Sequence, residues 1–303
     1  MGSISATADR TAARPVGPVR GLASWLHHNA RVRLAALLSA PLAWLLLAYL
    51  GSLLVLFISA FWSVNDFTGD VIHQATLDNF RTILSQPVYR TVALRSVGVA
   101  AAVTAIDTAI ALPMAFFMAK VAAPRSRKWL VIAILTPLWA SYLVKAYAWR
   151  VLLANGGPID TVLGGPGHGP GYGLPATIIV LSYLWLPYMI LPIYAGLERL
   201  PDSLLEASAD LGGRGWRTFR SVVVPIIVPA VFAGSIFTFS LSLGDYITVQ
   251  IVGGKNQLIG NLVYANIGAA NNLPLAAALA TIPVLIMVIY LFAVRRSGAL
   301  EEL

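Results

Sequence analysis

The chain has 303 residues, of which 58% are hydrophobic and 11% charged, with a net charge of +8 and a mean hydropathy of +0.76. Soluble domains carry about 25% charged residues, and several apolar runs here exceed the ~20 residues that cross a bilayer. The chain therefore reads as an all-α, multi-span membrane protein, and a bias of positive charge toward one side of the membrane explains its charge better than nucleic-acid binding does. Cys is absent, which removes disulfides, thiolate metal sites and Cys nucleophiles, and His27, His28, His73 and His168 show no metal-ligand spacing.

In chain order, residues 1–32 are small, polar and dotted with Arg10, Arg14, Arg20 and Arg31, the composition of a mobile basic tail. The first apolar run, 34–62, is too long for a signal peptide's apolar region and lacks a clean cleavage site, so it is an uncleaved span. Residues 63–91, with Asp66, Asp70 and Asp78, form an outer loop with a short helix near 77–84. Further spans are predicted at 92–119, 129–149, 175–196, 222–245 and 273–294. Pro137 lies in the third of these six, and Pro187 and Pro192 are expected to bend the fourth. Small residues at Gly98-x-x-x-Ala102 and over 276–280 suit close helix approach. A glycine-rich loop from Asn155 through Asp160 to Gly173 and a segment at 246–272 complete one face, and residues 297–303 form a short tail.

Fifteen of the twenty-one Lys and Arg fall in the segments that six spans assign to the same side as both termini. That side is cytoplasmic by the positive-inside bias. The loop at 197–220 lies on it, the longest polar interruption in the second half of the chain. Its start carries two incompatible helix signals. Pro201 suits a first helical position, whereas Ser203-x-x-Glu206 fits a capping box. Gly212-Gly213 ends that helix, an amphipathic turn with Trp216 and Phe219 follows, and Pro225 begins the next apolar run.

This loop resembles the signature of permease subunits of bacterial ABC importers: Glu-Ala-Ala, three residues, Gly, nine residues, then Ile-x-Leu-Pro. The chain supplies Glu206, Ala207, Ser208 in place of the third residue, then Asp210, Gly212, Val222, Val224 and Pro225. More narrowly, Pro137-Leu-Trp-Ala-Ser-Tyr-Leu-Val-Lys145-Ala-Tyr-Ala-Trp149 resembles the third-span segment of spermidine/putrescine-type permeases. Leu243-Gly-Asp245-Tyr-Ile-Thr248, Gly253-Gly254 and Leu258-Ile-Gly260-Asn261 resemble the same family's fifth-span exit. Where that family often has Asp-Trp-Pro, this chain has Asn272-Leu273-Pro274, which weakens the inference about cargo more than that about fold.

The resemblance, spanning about 34–296, implies a six-helix bundle of the type I ABC importer permease kind with both termini cytoplasmic, in a bacterial inner membrane. It implies a coupling helix at 206–212 that docks on a dimer of cytoplasmic ATP-binding subunits. A second related permease, an extracytoplasmic substrate-binding protein and a small-molecule solute complete the expected assembly. Polyamine is the foremost cargo, with iron-type or phosphonate-type solutes as alternatives. No cofactor is expected, and the chain has no Gly-x-x-x-x-Gly-Lys-Ser/Thr loop for ATP.

Ionisable groups within spans cost at least ~2.5–3.5 kcal/mol unless paired or wetted, which marks them as candidates. Asp107 is either a cation contact on the path or a polar clamp to Thr104, Thr108 or a nearby helix. Lys145 either contributes to the path or snorkels to the interface. Asp245 either meets an incoming cation, caps a helix or pairs with Lys145, and pairing is the cheapest of these. Tyr183, Trp185 and Tyr188 suit cation–π contacts with an alkylammonium cargo or simple helix packing. Two other classes fit the sequence less well. A secondary transporter would show two repeated halves, which are not visible. A membrane enzyme would need a catalytic set inside the spans, and all four His lie outside them.

Overall fold

The computed structural model describes residues 30–65 and 67–296. The predicted tail up to residue 29, Asp66 of the outer loop and the tail at 297–303 lie outside the described residues. The first span, expected over 34–62, is helical as far as Ser59: α1 (Ala30–Leu45), a π turn (Leu46–Gly51) and α2 (Ser52–Ser59).

Past this span, β1 (Ser63–Val64) pairs antiparallel with β2 (Val71–Ile72) in a small hairpin. The Asn65 side chain organises its turn by accepting the Phe67 N–H at 2.9 Å. The short outer helix is α3 (Asp78–Ser85), and Asn79 anchors it by donating to the carbonyls of Ala60 and Trp62. A long helix α4 (Pro87–Phe116) starts with proline in its first turn and continues through a π turn (Phe117–Val121).

The third span is not the straight helix expected over 129–149. It is split into α5 (Pro124–Trp139) and α6 (Tyr142–Leu152), which meet at 95°. Pro137 removes a hydrogen bond from the last turn of α5, and Ala140 and Ser141 are extended, with ψ of 142° and 136°. After α7 (Pro158–Val162), α8 (Leu174–Arg199) contains Pro187 and Pro192 within one continuous helix. Then come α9 (Asp202–Asp210), α10 (Gly215–Thr218), a π turn (Phe219–Val223) and α11 (Val224–Leu243).

Pro225 lies in the first turn of α11, which continues without a gap from the π turn, so Gly215–Leu243 is one helical run. It sits two residues past the π turn, whose wider winding accommodates a residue without an N–H. The stretch 246–272 contains two short helices, α12 (Ile247–Val252) and α13 (Ile259–Ile267), before α14 (Leu273–Arg296). Among the described residues, five continuous helical runs are long and apolar enough to cross a membrane, and the bent pair α5–α6, taken as one span, makes six.

Helices α4, α8 and α11 pack together at the centre. One apolar cluster gathers Ala111, Met118, Met189, Ile193, Leu197 and Ile227 at the α9 end, and another gathers Ala146, Leu153, Val180, Leu184 and Val252 at the opposite end. Glycine sets the α8–α11 spacing. A Cβ on Gly234 would lie 2.8 Å from Met189 Sδ and 3.1 Å from Met189 Cα, and one on Gly196 would lie 2.9 Å from Ala230 Cβ. Gly98, expected to serve such an approach, faces open space. Ala276, Ala277 and Ala278 of α14 are buried.

Candidate functional site

The segment singled out in the sequence folds as a rigid elbow. Helix α9 has Pro201 as its N-cap residue and Asp202 in its first turn, and no side-chain cap forms, so neither helix-start signal is realised as written. Its other end is a Schellman motif. Gly212 takes φ +76°, its N–H reaches the Ala209 carbonyl at 2.9 Å, and the Gly213 N–H reaches the Ser208 carbonyl at 2.8 Å. A Cβ on Gly213 would lie 2.6 Å from the Ser208 carbonyl oxygen. Ser208 is more than a tolerated departure, since its hydroxyl bonds Thr218 of α10 at 2.8 Å and ties the two helices together. Glu206, Ala207, Asp210 and Gly212 are exposed, as is Pro225. Beside them Leu211 and Trp216 are 88% and 73% exposed, next to a cleft of about 320 Å³ lined by Leu204, Ala207, Leu211, Arg217 and Val222. Nothing in the local sequence singles out Leu211.

At the opposite end, a cavity of about 350 Å³ opens between α6, α8 and the α11–α12 junction, lined by Tyr142, Trp185, Ser240, Asp245 and Tyr246. Asp245 is 8% exposed. Its carboxylate accepts from the Tyr142 hydroxyl, the Thr248 N–H (2.8 Å) and the Thr248 hydroxyl (3.2 Å). The expected Asp245–Lys145 pair does not form: the short α6–α12 contact brings Tyr142 to the acid, and half-buried Lys145 has no charged partner among the described residues. All of Asp245's donors are therefore neutral. Tyr142 also stacks on Trp185 at 5.9 Å. Trp185 meets Tyr188 at 5.9 Å, and Tyr188 meets Phe237 at 6.4 Å, so a chain of rings leads away from the cavity. Tyr246 stacks on Tyr264 at 4.9 Å. Tyr183, which stands apart from this chain, is exposed and packs on Trp149.

Asp107 does not line this cavity. It is fully buried on α4, and neither carboxylate oxygen has a hydrogen-bond partner. Of the predicted clamps, those to Thr104 and Thr108 are absent, because both hydroxyls donate to carbonyls of their own helix, and the side chain that acts on Asp107 is Ser182 of the neighbouring helix α8.

A third buried acid organises the glycine-rich loop. Asp160 accepts from the N–H groups of Gly156 (2.8 Å), Gly167 (2.8 Å) and Gly169 (2.7 Å). The Gly156 and Gly167 bonds hold its carboxyl below the usual carboxylate range, with Gly169 and nearby His168 acting in the same direction and burial opposing them.

Comparison with known proteins bears on the family and the fold. The family described as "Binding-protein-dependent transport system inner membrane component" matches residues 104–298. The chain is 44% identical over 292 residues to the inner membrane ABC transporter permease protein YdcU of Escherichia coli K12, covering 91% of this chain and 93% of that protein. It is 32% identical over 231 residues to the spermidine/putrescine transport system permease protein PotB of Haemophilus influenzae, covering 74% and 80%. Among solved structures, a bacterial ABC transporter involved in alginate import superposes with TM-score 0.67 at 16% identity, over 90% of this chain and 99% of that one. The MetNI methionine ABC transporter gives 0.56 at 16% identity, over 70% and 96%. These two likenesses bear on fold alone. The fold and the matches define a multi-pass ABC importer permease of the type I architecture. The chain belongs to the family of binding-protein-dependent transport system inner membrane components.

Proposed function

We propose that this chain is the transmembrane subunit of a polyamine importer of the bacterial inner membrane, passing putrescine- or spermidine-like cations inward by alternating access. The observation that carries the reading is Asp245: a buried carboxylate with only neutral donors, on the wall of a 350 Å³ cavity flanked by Tyr142, Trp185 and Tyr246. A buried anion without a cation invites one, and each aromatic face adds ~0.5–2 kcal/mol to an alkylammonium. The likeness to spermidine/putrescine permeases supports the same cargo. A phosphonate would meet Asp245 with like charge, which disfavours it. The chain of rings through Trp185, Tyr188 and Phe237 then serves as the start of the path. Asp107, Tyr183 and Lys145 fall outside the cavity lining and are weaker candidates for contact with cargo.

In this reading both termini and the segment 197–220 face the cytoplasm, as the positive-inside bias requires. The exposed face of α9 with Glu206, Ala207, Asp210 and Leu211 docks on an ATP-binding subunit, which alone hydrolyses ATP. A second permease and an extracytoplasmic binding protein complete the transporter. The alginate transporter of similar fold was solved in complex with a periplasmic protein, the kind of partner that this reading assigns here.

Uptake of labelled putrescine and spermidine by cells lacking other carriers tests the cargo. Deleting the chain should abolish uptake. Asp245→Asn, removing one charge-assisted contact, should raise the half-saturating concentration roughly ten- to hundredfold. Uptake that is unchanged by deletion would overturn the polyamine assignment. An ion-gradient-driven carrier, the remaining rival, would purify without an ATPase.

A further inference from the structure

Two cations clamp the elbow where α8 turns into α9. Lys120 lies in the π turn that ends the α4 run, a winding often found where a helix is fitted to a functional contact. Its ammonium donates to the Leu200 carbonyl and to the Asp202 carboxylate, both at 2.7 Å, and its side chain is only 10% exposed. The Leu200 carbonyl belongs to the C-cap of α8, where carbonyls lack helical partners. Asp202 is the first-turn acid of α9. A single ammonium thus joins the end of α4, the end of α8 and the start of α9. Arg127 of α5 braces the same corner, donating to the Ala119 carbonyl at 2.7 Å and lying 3.6 Å from Glu198, which also accepts from the Tyr194 hydroxyl.

Stability does not account for this arrangement. Asp202 is 75% exposed, and ion pairs with an exposed partner contribute little to folding. What the contact does fix is the position of α9 against α4. Helix α9 is joined to α8 by the chain, and to α10 through Ser208 and Thr218. Helix α4 has no such covalent link to α9, although it packs at the centre of the bundle with α8 and α11.

We infer that Lys120 is a positioning residue that transmits movement of α9 to α4, so that the central helices shift together when α9 is displaced. The inference rests on the reading of 206–212 as the segment that docks on the ATPase. Its test does not depend on the cargo. In the complete transporter, spin labels at Ile110 on α4 and Leu285 on α14 report the distance between these helices before and after trapping with ATP and vanadate, with ATP hydrolysis monitored in parallel. The unsubstituted complex should show a nucleotide-driven change in distance. Lys120→Met should lose it while ATP is still hydrolysed, and Lys120→Arg, which keeps the charge and donors, should restore it. A change that persists in Lys120→Met, or no change in the unsubstituted complex, overturns the inference. Should Lys120→Met fail to assemble, Asp202→Asn at the exposed partner is expected to diminish the same change, and an undiminished change in that variant counts equally against it. Glu206→Arg separates the two claims. If it leaves ATPase attachment and the distance change intact, the docking reading itself fails. If it abolishes the change while Lys120→Met does not, only the role of Lys120 fails.

Discussion

Three buried carboxylates, Asp107, Asp160 and Asp245, meet three different fates in this chain. Asp160 is satisfied by three backbone N–H groups and is structural. Its folded-state carboxyl lies below the usual range, so its contribution is present above the ordinary carboxylate pKa and is lost only as pH falls through the lowered one. Asp160→Asn removes that charge and points an amide donor toward N–H groups. Hydrogen exchange at Gly156, Gly167 and Gly169 should accelerate roughly tenfold or more near neutral pH. Unchanged protection in that variant would show that the loop is held by other means. Asp245 is satisfied by a tyrosine and a threonine yet left without a positive charge, which suits a cation in transit. Asp107 makes no hydrogen bond of normal geometry among the described residues, with Ser182 of α8 the side chain that acts on it. The sequence marked Asp107 and Asp245 because charge inside a span is costly. It did not reveal that Tyr142, rather than Lys145, would reach Asp245. That depends on the 95° break between α5 and α6, a tertiary outcome of two extended residues at Ala140 and Ser141.

Among the elements, α9 and its Schellman end were the most legible, because Gly212-Gly213 is a local signal that needs no partner. Less visible was the joint with α10, where a Cβ on Gly213 would strike the Ser208 carbonyl. Gly213→Ala should therefore displace α10 from α9. Transport in the assembled complex is expected to fall at least about fivefold, the lower range of a typical coupling energy, while ATP hydrolysis continues. Transport equal to the unsubstituted complex would mean that the corner tolerates the extra atom and that its geometry is not critical. The helices α12 and α13 escaped the sequence reading because they are short and interrupted by Gly253-Gly254 and Asn256. Gly98 and Gly234 teach the opposite lesson. Both are small residues in spans, but only Gly234 touches a neighbouring helix, and nothing in their local sequence separates them.

At the scale of the whole molecule, length and hydropathy alone mark five helices that each satisfy the bilayer by themselves, and a sixth crossing only where the bent pair α5–α6 acts as one span. Their packing order did not follow from composition. The close approach of α8 and α11 depends on which faces carry Gly196, Gly234 and Ala230. The resulting molecule has an acidic, aromatic cavity at one end and an exposed elbow with Leu211 and Trp216 at the other. In the proposed reading the cavity serves the cargo and the elbow serves the motor. The most direct test is transport by the complete complex in proteoliposomes, with binding protein on one side and ATP on the other. The account predicts ATP-dependent accumulation of labelled putrescine that unlabelled spermidine suppresses and methylphosphonate does not. Accumulation of the phosphonate instead, or putrescine uptake driven by an ion gradient without ATP, would contradict it.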